Sequence, residues 1–250
     1  MNYFLRITIL SLFIISSSQA QVNITAESGA AFNGYNDVQY PNGDTDRGSR
    51  FSLTDDFEPT QLAIYARFEL SWTISQKHTI ELTAAPLAFE YEKSNPRPIE
   101  FGDNIYGANT ADITARYEFN TYRASYRYRF IDTDKWQLAA GATVLIRDAR
   151  IAVSDDNTND ETTNLGAVPL LSFDVQYNCS EHLDFLLKGD ALAAPQGRAE
   201  DVLLGLRYHF IPEKLKLRAG YRIIEGGADN SQVYNFSLIH FASVGLSYQF

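Results

Sequence analysis

The strongest constraint in this chain of 250 residues is a repeat of two. Successive side chains of a strand leave on opposite faces, so apolar–polar alternation describes a sheet with two unlike surfaces. Leu62, Ile64, Ala66, Phe68, Leu70 and Trp72 share one face, against Ala63, Tyr65, Arg67, Glu69 and Ser71 on the other. A helix would carry Arg67 and Glu69 into its apolar stripe. The pattern returns at Leu215, Leu217, Ala219, Tyr221 and Ile223, at Leu171, Phe173, Val175 and Tyr177, and at Val202, Leu204, Leu206, Tyr208 and Phe210. Ten such strands are expected, over 22–35, 60–74, 79–93, 110–131, 135–153, 164–178, 182–193, 200–211, 214–226 and 237–250.

The connections also alternate. Short turns are expected at 75–78, 132–134, 179–181 and 212–213, and longer polar loops at 36–59, 94–109, 154–163, 194–199 and 227–236. Short turns at one end and long loops at the other, on strands of at least 9–11 residues, describe a transmembrane barrel. The fold expected is therefore all-β: an antiparallel up-and-down transmembrane β-barrel of about ten strands, with eight or twelve as alternatives. A soluble sandwich or lipocalin-like barrel also alternates. The aromatic strand ends, the loop asymmetry and the terminal Phe250 favour the membrane form. Its lipid-facing band takes in Leu62, Ile64, Phe68, Leu70, Trp72, Tyr126, Tyr128, Phe173, Leu217, Tyr221, Val244, Leu246 and Tyr248. Parity fails in two places. Apolar residues pass from odd positions (Ile113 to Phe119) to even ones (Tyr122 to Phe130), and a similar switch occurs at Pro86. A β-bulge is expected near Asn120-Thr121 and another near Pro86.

Composition enters as exclusion. One cysteine, Cys179, leaves no disulfide framework, and four scattered histidines do not make a metal centre. A net charge of −10 argues against nucleic acid. No phosphate loop or nucleotide fingerprint is present, so no cofactor is expected. The acidic run Asp155 to Glu161 lacks the central Gly and final Glu of a calcium loop. Residues 1–20 carry a lone base, Arg6, an apolar stretch over 7–15, and a small-residue end at Ser18-Gln19-Ala20. This is expected to be a cleaved signal peptide, leaving residues 21–250 as one barrel domain.

The C-terminal Ser243-Val244-Gly245-Leu246-Ser247-Tyr248-Gln249-Phe250 resembles the last strand of Gram-negative outer-membrane proteins. That resemblance implies an outer-membrane location and a barrel-assembly signal at Val244, Leu246, Tyr248 and Phe250, read by the barrel-assembly machinery. The mature chain also resembles a group of small outer-membrane barrels without assigned activity. The stretches that carry this are Tyr122-Arg123-Ala124-Ser125-Tyr126-Arg127-Tyr128, Ile146-Arg147-Asp148-Ala149-Arg150-Ile151, Gly197-Arg198-Ala199-Glu200-Asp201 and Gly220-Tyr221-Arg222. Expected partners are outer-membrane lipids and lipopolysaccharide, around a monomer.

A barrel of this size has an interior that side chains nearly fill. The inward set carries both signs: Arg67, Arg123, Arg127, Arg129, Arg147, Lys188, Arg207, Arg218 and Arg222 against Glu69, Glu81, Glu90, Asp174, Asp184 and Asp190. Buried charges persist only when paired, so a charge-plugged lumen in a structural or surface-interaction barrel is expected. The alternative is a narrow channel built on the Arg123, Arg127, Arg129 row, which is also placed to pair with Asp174 and Asp184. A lipid-modifying hydrolase is the second alternative. It needs a Ser and a His together, yet His240 and Ser243 fall on opposite faces of their strand. His209 is expected inward beside Arg207.

Overall fold

Ten chain passes close into one ring. The computed structural model describes residues 20–94, 97–107, 112–194 and 197–250; all but the last residue of the expected signal peptide lies outside them. The strands are β1 (Gln21–Gln39), β2 (Arg50–Ser52), β3 (Glu58–Pro59), β4 (Ala63–Ile74), β5 (His78–Ala85), β6 (Ala88–Lys93), β7 (Ile99–Phe101), β8 (Asn104–Tyr106), β9 (Ile113–Asp132), β10 (Trp136–Ser154), β11 (Asn159–Ser180), β12 (Leu183–Ala194), β13 (Gly197–Ile211), β14 (Leu215–Asp229) and β15 (Tyr234–Gln249). Ten passes form the barrel: β1, β4, β5 continued by β6, and β9 to β15. Each pairs antiparallel with its sequence neighbours, and β15 returns to pair with β1 from Asn23–Gln249 to Gln39–Tyr234. Closure removes every free edge from the membrane-spanning part, as a bilayer demands of a sheet.

The outer face is apolar. Ile24, Phe68, Leu70, Leu82, Val144, Leu204, Leu206, Val244 and Leu246 all stand exposed. Aromatics gather near the short-turn end, with Tyr208 against Phe210, Tyr248 against Phe250 and Trp136 against Tyr177. An apolar band edged by aromatic rings fits hydrocarbon flanked by headgroups. Both termini lie at the short-turn end, where the Phe250 amide donates to the Val22 carbonyl at 2.9 Å. Short turns mark that end as periplasmic.

The expected bulges at Asn120-Thr121 and Pro86 are not there. Odd residues of β9 face inward along its whole length, and its pairing with β10 runs unbroken from Thr114 to Arg129. Strand β5 stops at Ala85 and β6 resumes at Ala88 in the same register on β9. Proline at 86 interrupts the ladder without shifting it. What changes is the solvent outside and the content inside. In the membrane, the apolar face looks outward; above it, Ile113, Ala115 and Tyr117 face inward and are buried. A bulge does occur in β1, between Asn33 and Tyr35.

Three expected loops are mostly strand. β10 and β11 pair out to Ser154–Asn159, β12 and β13 to Ala194–Gly197, and β14 and β15 to Asp229–Tyr234. Strands of 19 to 22 residues are about twice what a bilayer crossing needs. The barrel therefore stands well clear of the membrane. The described residues of the two remaining long connections, 40–62 and 97–107, lie at its mouth. Their apolar side chains Phe51, Leu53, Phe57, Ile99, Phe101 and Tyr106 join Tyr117, Ile151, Ile239 and Phe241 in one extracellular core. This cap and the charged middle give the interior two tiers.

Candidate functional site

The lower tier follows from parity. Each charged residue occupies an inward position of its strand, so the ring aims them at one another across the lumen. Glu27 of β1 has a side chain with no solvent exposure. It pairs with Arg218, and with Arg222 at 3.1 Å, and accepts a hydrogen bond from the Tyr65 hydroxyl at 2.8 Å. Asp201 of β13 accepts from Arg222 at 2.6 Å, from Arg67 at 3.0 Å, and from Arg123. Asp190 of β12 holds Arg123 at 3.2 Å and accepts from the Thr143 hydroxyl at 2.8 Å. Glu69 lies 2.9 Å from Arg67 and 3.3 Å from both Arg218 and Lys188. Glu81 takes Lys188 and Arg127, each at 2.8 Å. Arg127 also donates to the Ser172 hydroxyl at 3.1 Å.

Seven of the ten passes thus supply the charges of one connected layer, and Thr143 of β10 and Ser172 of β11 add hydroxyls to it. Gly245 makes room for it, since a Cβ there would lie 3.3 Å from the Cβ of Glu27. Removing a charge from water costs several kcal/mol, and only close pairing with hydrogen bonds offsets this. Here every carboxylate of the layer meets at least two partners, so the layer is stable only as a unit.

Below it, a vestibule of about 880 Å³ opens at the periplasmic end. Asp184 sits there with Arg207 at 2.5 Å and with the Nε2 of His209 at 2.6 Å. Asp174 accepts from the Gln176 amide at 3.2 Å, and Arg129 lies 3.6 Å from Asp132. Above the layer, a second cavity of about 400 Å³ is walled by β9 to β15, beside the cap.

Several expectations about these residues need correction. Asp174 and Asp184 are not the partners of the Arg123, Arg127, Arg129 row. Asp174 of β11 makes no ion pair with the row; Arg127 does reach β11, but it meets the Ser172 hydroxyl there. Glu81 is nearer, on the neighbouring strand β5. The row is also split in height, with Arg123 and Arg127 in the layer and Arg129 in the vestibule. Glu90 faces outward, half-exposed, and pairs with Arg116. Arg147 faces the upper cavity and has no carboxylate partner among the described residues. Glu27 and Asp201, the anchors of the layer, are absent from the sequence-derived set. Glu27 was legible from the odd parity of Asn23 and Thr25. Asp201 was equally legible, at an odd position of the expected strand 200–211 on the face of Arg207 and His209; the strand, β13, begins three residues earlier, at Gly197.

His240 lies on the outer face, stacked on Phe32 and Tyr221, while Ser243 is buried inside. The acidic run is partly structural. Asp155 Oδ1 accepts from the amides of Asn157 and Thr158 at 2.9 Å, which hold its carboxyl below the usual range. Asp160 ties down the cap, accepting from Asn104 at 2.8 Å and from the Tyr106 hydroxyl at 3.0 Å. Among the described residues no group of His, Cys, Asp and Glu is arranged for a metal ion. Cys179 is exposed. Val244, Leu246 and Tyr248 face outward on β15, with Phe250 at its end.

No protein-family model and no curated protein matches the chain. Solved structures do. The outer-membrane protease OmpT from Escherichia coli aligns with a TM-score of 0.53 at 10% identity, over 94% of this chain and 99% of that one. The β domain of the Bordetella autotransporter BrkA gives 0.49 at 10% identity, over 93% and 100%. Ail, the attachment invasion locus protein of Yersinia pestis, solved with the heparin analogue sucrose octasulfate, gives 0.43 at 7% identity, over 93% and 99%. The likeness is one of fold, and it is the fold of bacterial outer-membrane β-barrels. With its apolar belt, the chain belongs in that membrane. Proteins of different activity share this architecture, so activity must be argued from the site.

Proposed function

We propose that this outer-membrane β-barrel is closed to solutes and serves as a structural scaffold that presents its extracellular cap to the surroundings. The connected ion-pair layer from Glu27 to Arg127 carries this reading. It spans the lumen between the two cavities, and a permeating ion would have to displace guanidinium groups that each hold more than one partner. The cap strengthens the reading, because its apolar core occupies part of the mouth above.

The rest follows from position. The belt contacts outer-membrane lipids, and the acidic run at Asp155, Asp156 and Glu161, at the extracellular tip of the β10–β11 hairpin, is an anionic surface for cation bridging to lipopolysaccharide. The closed ring leaves no free edge in the membrane, which suits a monomer. Val244, Leu246, Tyr248 and Phe250 are assigned as the signal read by the barrel-assembly machinery. A catalytic role for His240 and Ser243 finds no support, since the strand separates them.

Proteoliposome swelling tests the closed state. Vesicles carrying the refolded barrel should swell no faster than empty vesicles in iso-osmotic small sugars or amino acids. Swelling at a porin-like rate would replace the scaffold with a channel. On intact cells, surface labelling should reach a tag placed in the 42–47 turn, and a shielded tag would remove the presenting role.

A further inference from the structure

The cavity above the ion-pair layer differs from the rest of the lumen. Its volume of about 400 Å³ falls in the range of small-molecule sites. Most of its wall is apolar, including Phe119, Leu145, Ile151, Leu170 and Ile224. One cation faces it without an anion: the Arg147 guanidinium, which donates to the Asn164 side-chain oxygen, while its buried Nε meets no acceptor. Glu200 and the Arg198–Glu225 ion pair lie elsewhere on the wall. In the layer just beneath, six bases (Arg67, Arg123, Arg127, Lys188, Arg218 and Arg222) face five carboxylates (Glu27, Glu69, Glu81, Asp190 and Asp201), so the unmatched positive charge is local to Arg147 and the cavity floor. An apolar chamber with one unmatched guanidinium suits a ligand with an apolar body and an anionic head.

The wall beside the cavity is also open. Strand β11 pairs with β12 only as far as Leu171–Ala191, although β11 itself continues twelve residues further to Asn159 along β10. Pro169, which has no N–H to donate, lies just above that last pair. Val168 and Leu170 on one side of the gap, and Leu192 and Ala194 on the other, line the cavity. Outside the gap stand Leu165 and Leu171, exposed by 75% and 66%. The opening begins at Leu171, nine residues above the periplasmic end of β11 at Ser180 and so about one bilayer crossing up, where its apolar lips stand at the upper boundary of the outer leaflet.

We propose that this cavity binds a single-chain amphiphile with an anionic head, carboxylate or phosphate, received through the gap between β11 and β12 and held by Arg147. The site lies above the ion-pair layer, so it stands whether or not the lumen conducts.

Titration calorimetry on the refolded barrel in amphipol, corrected for empty amphipol, provides the test. The probes are dodecanoate, dodecyl phosphate and the neutral dodecanol. Both anions, or one of them, should bind saturably with one molecule per barrel and more tightly than dodecanol; the tighter anion identifies the head. Arg147→Gln should weaken the anions by about tenfold, the loss of one charge-assisted contact, and leave dodecanol unchanged. Leu170→Trp should fill the chamber and abolish all binding. Heat-modifiable gel migration reports that each variant is folded. Absence of saturable binding to the wild-type barrel, or dodecanol binding as tightly as both anions, overturns the proposal without reference to any variant. An unchanged anion affinity in folded Arg147→Gln overturns the role of Arg147.

Discussion

Glu27 shows how a single residue can be indispensable without being reactive. It is sealed from solvent and neutralises two arginines, Arg218 and Arg222, that reach it across β15 from β14. Glu27→Gln keeps the shape and removes the charge, which strands guanidinium groups in a desolvated layer. Breaking a buried pair in this way costs about 3–5 kcal/mol. Urea unfolding of the refolded barrel should show a loss of that order, and the double variant Glu27→Gln with Arg222→Gln should lose less than the two single losses together. A near-zero effect of Glu27→Gln would mean that water, not charge pairing, fills the middle of the barrel. At this scale the sequence was partly legible. Parity alone places Arg67, Glu69, Glu81, Arg218 and Arg222 inside. It does not say which partner each finds, because pairing across a lumen depends on height along the barrel axis, and that depends on register and tilt.

Among elements, the cap is the part that sequence patterns misdescribe. Alternation persists in β9, but the apolar residues change sides once the strand leaves the bilayer. A solvent change therefore mimics a change of register, and the reading of a bulge at Asn120-Thr121 follows from that. The connections look polar overall, yet each carries a few large apolar residues that pack only after the barrel has gathered them. Phe101 is fully buried in this core. Phe101→Ala should cost about 3–5 kcal/mol of cap stability. Because the barrel below has its own closed ladder, hydrogen exchange should rise at 50–58 and 99–106 while heat-modifiable migration is kept. Loss of the whole barrel would show that cap and barrel fold as one unit.

The cap also has an acid-sensitive clamp. Burial works to raise the carboxyl of Asp56, but the Ser52 amide at 3.0 Å, Lys93 and Arg97 outweigh it and hold the group below its usual value of 3.8. A depressed carboxyl stabilises the fold above its unfolded value, and that contribution fades as pH falls through the folded one. Exchange at 50–57 should therefore rise below about pH 3.8 and stay flat between pH 5 and 7. Asp56→Asn should remove the acid-dependent step.

The whole molecule is a ring with an inverted sheet: lipid outside, charge inside, and water-facing strands above. The outer face was the most legible feature, since Phe68, Leu70, Trp72, Tyr126, Tyr128, Val244, Leu246 and Tyr248 stand exposed on the belt where alternation puts them. The bilayer enforces that side of the pattern alone. Leu70→Arg should lower barrel stability in vesicles by about 2–4 kcal/mol, and less if Leu70 lies near an interface. The inner side obeys no such rule, because charge, apolar packing and cavity all satisfy a closed lumen.

The claim that joins these scales is that the ion-pair layer seals the lumen. Conductance of the refolded barrel in a planar lipid bilayer tests it most directly, with Asp201→Ala as the comparison because Asp201 ties Arg67, Arg123 and Arg222 together. The wild-type barrel should be inserted, folded and silent, and Asp201→Ala should show discrete openings or anion leak as the freed guanidinium groups hydrate. Discrete, reproducible steps from the wild-type barrel would contradict the sealed lumen.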